Sequence, residues 1–137
     1  MTNPYLTVEG CVNRLYTQWL KHPRLICAVD FDSTVSPLDE REKDVDYSDT
    51  INVLKRAAKH NFFIVVYSCS NTERYEKIHK HFAQFGLEVA AINSNIIDLG
   101  FEPQAKIYYN ILLDDKAFLA GSIEVLNKLI DKIEAQN

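Results

Sequence analysis

Cysteine, surplus basic charge and long apolar runs are all scarce in this sequence, and each shortage excludes something. Only Cys11, Cys27 and Cys69 occur, an odd set at irregular spacing without the paired Cys and His pattern of a zinc site or a disulfide framework. They are expected to be reduced thiols. Lysine and arginine total 15 against 19 acidic residues, a formal charge of −4, so no nucleic-acid backbone is required as a partner and nucleic acid could enter only as a substrate. No apolar stretch approaches the roughly 20 residues that span a bilayer. The start, MTNPYLTVEG, lacks the basic and apolar regions of a signal peptide. The expectation is a cytoplasmic protein without membrane contact. No repeat, low-complexity tract or linker breaks the 137 residues, so residues 1–137 are read as one domain.

What is present is an alternation of short apolar runs and amphipathic segments. From Val8 to Lys21 apolar residues recur at three- and four-residue steps (Val8, Cys11, Val12, Leu15, Tyr16, Trp19, Leu20), which predicts a helix that Pro23 stops. Leu25 to Val29 reads as a buried strand ending in Asp30-Phe31-Asp32. Residues 33–48, polar and broken by Pro37, read as a loop. A helix capped by Ser48 or Asp49 is expected through Lys59. Phe62 to Tyr67 forms a second strand, Glu73 to Phe85 a helix closed by Gly86, Leu87 to Ile92 a third strand, Ile107 to Leu113 a fourth, and Ser122 to Ala135 the last helix. This order predicts parallel pairing through right-handed crossovers: an α/β fold, a three-layer α/β/α sandwich around a mostly parallel, Rossmann-like sheet. Residues 1–22 supply an N-terminal helix, 24–120 the core and 122–135 a C-terminal helix.

Ligands of such sheets bind beyond the carboxyl ends of the strands, and three of the four apolar runs end there in polar groups: Asp30 with Asp32, then Ser68, then Asp114 with Asp115. Two carboxylates about 4 Å apart repel by roughly 4 kcal/mol at an effective dielectric near 20. A hard divalent cation removes that conflict, and oxygen ligands with retained waters suit Mg²⁺.

Asp30-Phe31-Asp32-Ser33-Thr34 behind an apolar strand resembles the DxDxT first motif of the haloacid dehalogenase superfamily. Ser68 resembles its second motif, Lys106 its third, and Asp114-Asp115 the paired-acid form of its fourth, across residues 24–120. The resemblance implies a Mg²⁺-dependent phosphatase with Asp30 as nucleophile, an aspartyl-phosphate intermediate, Asp32 as proton carrier and Thr34 shaping the loop. It also implies Ser68 as hydroxyl donor and Lys106, with Lys116 as fallback, as the charge on the phosphoryl group. Asp30, the Asp32 carbonyl, Asp114 and Asp115 would hold the metal. Ser33 stands where many members have glycine and Val35 where leucine or isoleucine is frequent, which bears on loop geometry and removes no reacting group.

Members of that superfamily often carry a cap domain; this chain has room only for residues 33–48 and 93–105 to reach over the rim. An open site suits a phosphate on a macromolecule or large ligand, or a cap supplied by a second copy or a partner. His79 and His81 read as surface residues, Cys69 as loop packing, Asp39 to Asp46 as a solvated acidic run, and Tyr108, Tyr109, Phe62 and Phe63 as core or strand positions. A receiver domain is the rival phosphate-accepting fold, but there the adjacent acid pair comes first in the chain and here it comes last. A catalytically inactive binding or scaffolding protein on the same fold is the alternative of a different class.

Overall fold

The computed structural model describes residues 2–97, 99–102 and 106–136. Its first long element is helix α1 (Val8–Lys21), for which the Thr7 hydroxyl accepts the Gly10 amide at 3.0 Å, satisfying one of the free N–H groups of the first turn. Strand β1 (Ile26–Asp30) leads through residues 31–47 to α2 (Ser48–Lys59), then β2 (Phe63–Tyr67), α3 (Tyr75–Ala83), β3 (Ala91–Ile92), β4 (Ile111–Leu113) and α4 (Leu119–Glu134). The sheet order is β3-β2-β1-β4, parallel throughout.

That order dictates where the covering layers lie. Moving from β1 to β2 to β3 in one direction puts α2 and α3 on one face by the right-handed rule, and the return from β3 across the sheet to β4 must pass over the other. The helical face carries the main core, in which Leu15, Leu54, Ile78, Phe82, Leu126 and Leu129 surround the strand residues Cys27, Val29, Ile64, Val66 and Leu113. The opposite face is covered by the return connection, with Ile96, Leu99, Ile107 and Tyr109 packed on Ile26, Phe63 and Val65. The architecture is the expected layered α/β sandwich without a cap domain. Among the described residues of 93–110 the covering layer contains no helix; residues 98 and 103–105 of the connection expected to overhang the rim lie outside the described residues. No described helix is long and apolar enough to cross a membrane.

Several boundaries differ from the sequence reading. The run from Leu87 pairs only at Ala91 and Ile92, and that from Ile107 only at Ile111 to Leu113, because each flanks the sheet where a single neighbour exists. The segment read as a helix from Glu73 opens with a 3₁₀ turn over Thr72–Arg74 before α3. Neither Ser48 nor Asp49 caps α2; Asp46 does comparable work by accepting the Ser48 amide at 2.8 Å. The last helix begins three residues earlier than expected, after Phe118 in the left-handed region at φ 51°. Within 33–48 a 3₁₀ turn at Glu40–Glu42 gives the loop a centre.

Candidate active site

Strand register brings the polar ends together. Asp30 pairs with Tyr67, and the β1–β4 register of Cys27 with Ile111 and Val29 with Leu113, continued by one residue, sets Asp30 level with Asp114. Ser68 follows Tyr67, and Asn93 follows the last β3 residue. One rim therefore carries Asp30, Ser68, Asn93 and Asp114 from four strands.

Carboxylate oxygens of Asp30, Asp114 and Asp115 lie within 4.8 Å of one another. Thr34, fully buried, ties two of them: its hydroxyl sits 3.2 Å from Asp30 Oδ2 and 3.1 Å from Asp115 Oδ1, and it accepts the Asp115 amide at 3.0 Å. Asp114 Oδ1 accepts the Lys116 amide at 2.9 Å, fixing the turn after β4. The electrostatic consequence falls on Asp30. Burial first, then a hydrogen bond shared with the Asp115 carboxyl and the nearby charge of Asp114, push its carboxyl up to about 7, against a lowering by Thr34. In the metal-free cluster, retaining a proton would relieve the repulsion of these like charges.

A divalent cation would relieve it instead. The donors are hard carboxylate oxygens, and ligands about 2.1 Å from an octahedral Mg²⁺ stand about 3–4 Å apart, a range that falls inside the 4.8 Å bounding the separations here. By its chemistry the donor set suits such an ion, and Asp30, Asp114 and Asp115 are the side chains that could hold it.

The other predicted residues divide. Asp32, bridged to Ser36, is not one of that trio, and its carboxylate meets Arg74, whose Nη1 and Nη2 each lie 3.3 Å from one carboxylate oxygen. Ser68 is clamped by Asn93, which accepts the Ser68 amide at 2.8 Å and donates from Nδ2 to its carbonyl at 2.7 Å. Its hydroxyl is 2.7 Å from that of Ser70, which in turn accepts from Arg74 at 2.7 Å. Lys106 is exposed, and among the described residues neither it nor Lys116 forms an ion pair with the acids. Ile107, next to Lys106, accepts the Tyr67 hydroxyl at 3.5 Å, which keeps that segment beside β2.

Three contributors escaped the sequence reading. Arg74 closes the 3₁₀ turn before α3, within a segment read only as helix, and Asn93 follows β3, where no periodicity marks it; the one available signal for Asn93 was an asparagine directly after an apolar run, a residue that tolerates its φ of 54°. Glu42 is the third. Within the acidic run read as merely solvated, it accepts the Ser33 hydroxyl at 2.9 and 2.8 Å, the Leu38 amide at 3.1 Å and the Tyr47 hydroxyl at 2.7 Å. Ser33 sits at φ 65°, the backbone position for which glycine is common in the resembling motif. Three readings need correction, the first being Tyr108, which is exposed and lies outside β4 where a core or strand position was expected. His81 is half-buried, with Nε2 2.8 Å from the Val35 carbonyl and its ring edge-on to Phe31, and Cys69 is exposed where loop packing was expected. His79 is exposed as expected.

Neither the family models nor the curated proteins include a match to this chain. One solved structure, a conserved protein coded by a locus from Bacteroides thetaiotaomicron, matches with a TM-score of 0.60 over 83% of this chain and 93% of that one, at 18% identity. At that identity the likeness establishes the fold, and function has to be argued from the site.

Proposed function

We propose that the protein is a Mg²⁺-dependent phosphohydrolase of the haloacid dehalogenase type, acting on a phosphate monoester through an aspartyl-phosphate on Asp30. The observation that carries this reading is the convergence of Asp30, Asp114 and Asp115 from β1 and β4. Such crowding of like charge costs stability in the absence of a cation, more than the single turn contact made by Asp114 explains.

In this reading an Asp30 carboxylate oxygen attacks phosphorus while the ester P–O bond breaks, and Asp32 delivers a proton to the departing oxygen. Water then attacks the acyl phosphate, Asp32 takes the water proton, and Asp30 is regenerated as inorganic phosphate leaves. Ser68, whose backbone Asn93 immobilises, donates to a phosphoryl oxygen, and Lys106 supplies positive charge from the segment beside Tyr67. Mg²⁺, when bound, favours the charged forms of the carboxylates and offsets phosphoryl charge. The open rim suits a phosphate carried by a large substrate, or a cap lent by a second copy or a partner.

The test is Mg²⁺-dependent phosphate release from an aryl phosphate, a phosphoprotein and 3′- or 5′-phosphorylated oligonucleotides, with Asp30→Asn as control. The expected result is loss of activity in the variant by about 10³-fold or more, with the larger substrates preferred. Equal rates for wild type and variant would discard the mechanism.

A further inference from the structure

A phosphoryl group needs fixed positive charge around its oxygens, and among the described residues the only cation paired with any of the four rim aspartates is Arg74. Its placement has three supports. The guanidinium lies 5.9 Å from the centre of the Phe31 ring, between the two aspartates of the Asp30-Phe31-Asp32 segment. Its Nη1 donates to Ser70 at 2.7 Å, and Ser70 touches the Ser68 hydroxyl at 2.7 Å, so Arg74 and Ser68 belong to one hydrogen-bonded chain. Its two contacts to Asp32 are both 3.3 Å. Charge-assisted N–H to carboxylate bonds usually fall at about 2.7–2.9 Å, so the Asp32 pair is loose while the Ser70 anchor is tight. A fork held from behind and weakly occupied in front can change partners without moving its stem. The Arg74 side chain is 39% exposed, which leaves it open to a ligand arriving from solvent.

Resting on the phosphohydrolase reading, we propose that Arg74 is the phosphate-recognition residue of this site: its guanidinium occupies Asp32 in the ligand-free protein and exchanges it for two oxygens of an incoming dianionic phosphoryl group. The exchange frees the Asp32 carboxylate toward the leaving oxygen at the moment substrate binds. It also favours phosphate monoesters over diesters, because a monoester carries two negative charges on three unesterified oxygens, so two can face the planar fork while a third is left for Ser68, whereas a diester has one charge and two such oxygens in all.

The experiment is calorimetric titration of the Mg²⁺-loaded protein with inorganic phosphate, in wild type, Arg74→Ala, Arg74→Lys, Asp32→Asn and the Arg74→Ala/Asp32→Asn double variant. Arg74→Ala is expected to weaken phosphate binding about 10- to 100-fold, the range for loss of hydrogen bonds to a charged group. Arg74→Lys, which keeps charge but not the fork, is expected to recover part of it. The decisive readout is the cycle. Asp32→Asn removes like charge in either background, but releases Arg74 only where Arg74 is present, so its gain in affinity must be larger with arginine than with alanine. Equal gains, or phosphate affinity unmoved by both Arg74 substitutions, would overturn the assignment and leave a salt bridge of purely structural role. Should Arg74→Ala fail to fold, Arg74→Lys with the Asp32→Asn pair completes the same comparison. Turnover is not needed for this measurement. Coupled phosphate binding without hydrolysis would uphold Arg74 and sink the enzyme reading; hydrolysis with no Arg74 effect on KM would do the reverse. No phosphate binding by the wild type would overturn both.

Discussion

Asp30→Asn should stabilise the metal-free protein, and only at the right pH. The Asp30 carboxyl is raised from an ordinary 3.8 to about 7 by burial and by Asp115 and Asp114. Because the folded value lies above the unfolded one, the stability Asp30 lends is complete below about pH 4 and drains away as pH rises through 7. A shift of three units corresponds to about 4 kcal/mol in a fully enclosed site, but Asp30 is only partly buried, and solvent screening brings the expectation to about 1–2 kcal/mol. With 137 residues and about 2.1 cal/mol/K per residue of melting entropy, that is about 3–7 °C. Thermal unfolding followed by circular dichroism in chelator should give coincident midpoints for wild type and variant near pH 4, and a variant higher by that amount near pH 8. Added Mg²⁺ should raise the wild-type midpoint and leave the variant nearly unmoved, since binding to the native state alone stabilises it. An offset of the same size at both pH values would refute the reasoning, because an amide that merely packs better has no reason to respond to protons.

Three further outcomes test neighbouring parts. Thr34→Val keeps the shape of a fully buried side chain but strands the Asp115 amide; urea unfolding should show a loss of about 1–3 kcal/mol, and calorimetry a weaker Mg²⁺ affinity. Asn93→Ala removes the clamp on both backbone groups of Ser68, and is expected to lower kcat by about tenfold or more while costing about 1–3 kcal/mol in unfolding. Ser33→Gly and Ser33→Ala both lose the hydroxyl bonded to Glu42, but only glycine relieves φ 65°, so the glycine variant should be the more stable of the two by about 1–2 kcal/mol, read from their denaturation midpoints.

The sheet was legible because its central strands are short apolar runs with no competing period: Ile26–Asp30 and Phe63–Tyr67 fall within a residue or two of the runs that announce them. Helix α1 was equally plain, its stripe ending where Pro23 approaches. The flanking strands were overread for one reason. Hydrophobicity at Leu87, Val89 and Ile107 reports burial, and these residues are buried or half-buried beside the sheet without entering its ladder. In the site, the aspartates were visible as acids ending apolar runs, since register aligns whatever follows each strand. Arg74, Asn93 and Glu42 were not, because each acts across a loop on a residue remote in the chain or in an unpredictable turn. A side chain that bonds over 42 positions, as Arg74 does with Asp32, leaves no local spacing to read.

The loop after β1 bears on what kind of substrate the open rim could accept. A lid that closes over small ligands needs a segment with two arrangements and a hinge between them. Residues 33–48 have the opposite construction: Glu42 gathers Ser33, Leu38 and Tyr47 onto one carboxylate, and those three bonds hold the beginning, middle and end of the segment together. The same bonds keep the Glu42 carboxyl below its usual range, and burial together with the Glu42 bond pushes the Tyr47 hydroxyl up to about 12, so the knot stays charged and tied through neutral pH. A segment knotted on itself is a wall and not a door. On the proposed chemistry, water must then be kept from Asp30 by whatever carries the phosphate, and a small ester covers little of the rim whereas a macromolecular surface covers much of it. The proposed preference for large phosphorylated substrates thus draws on the rigidity of the loop as well as on the missing cap, and Glu42→Gln, by loosening the knot, should narrow the gap between the two substrate classes when their kcat/KM values are compared.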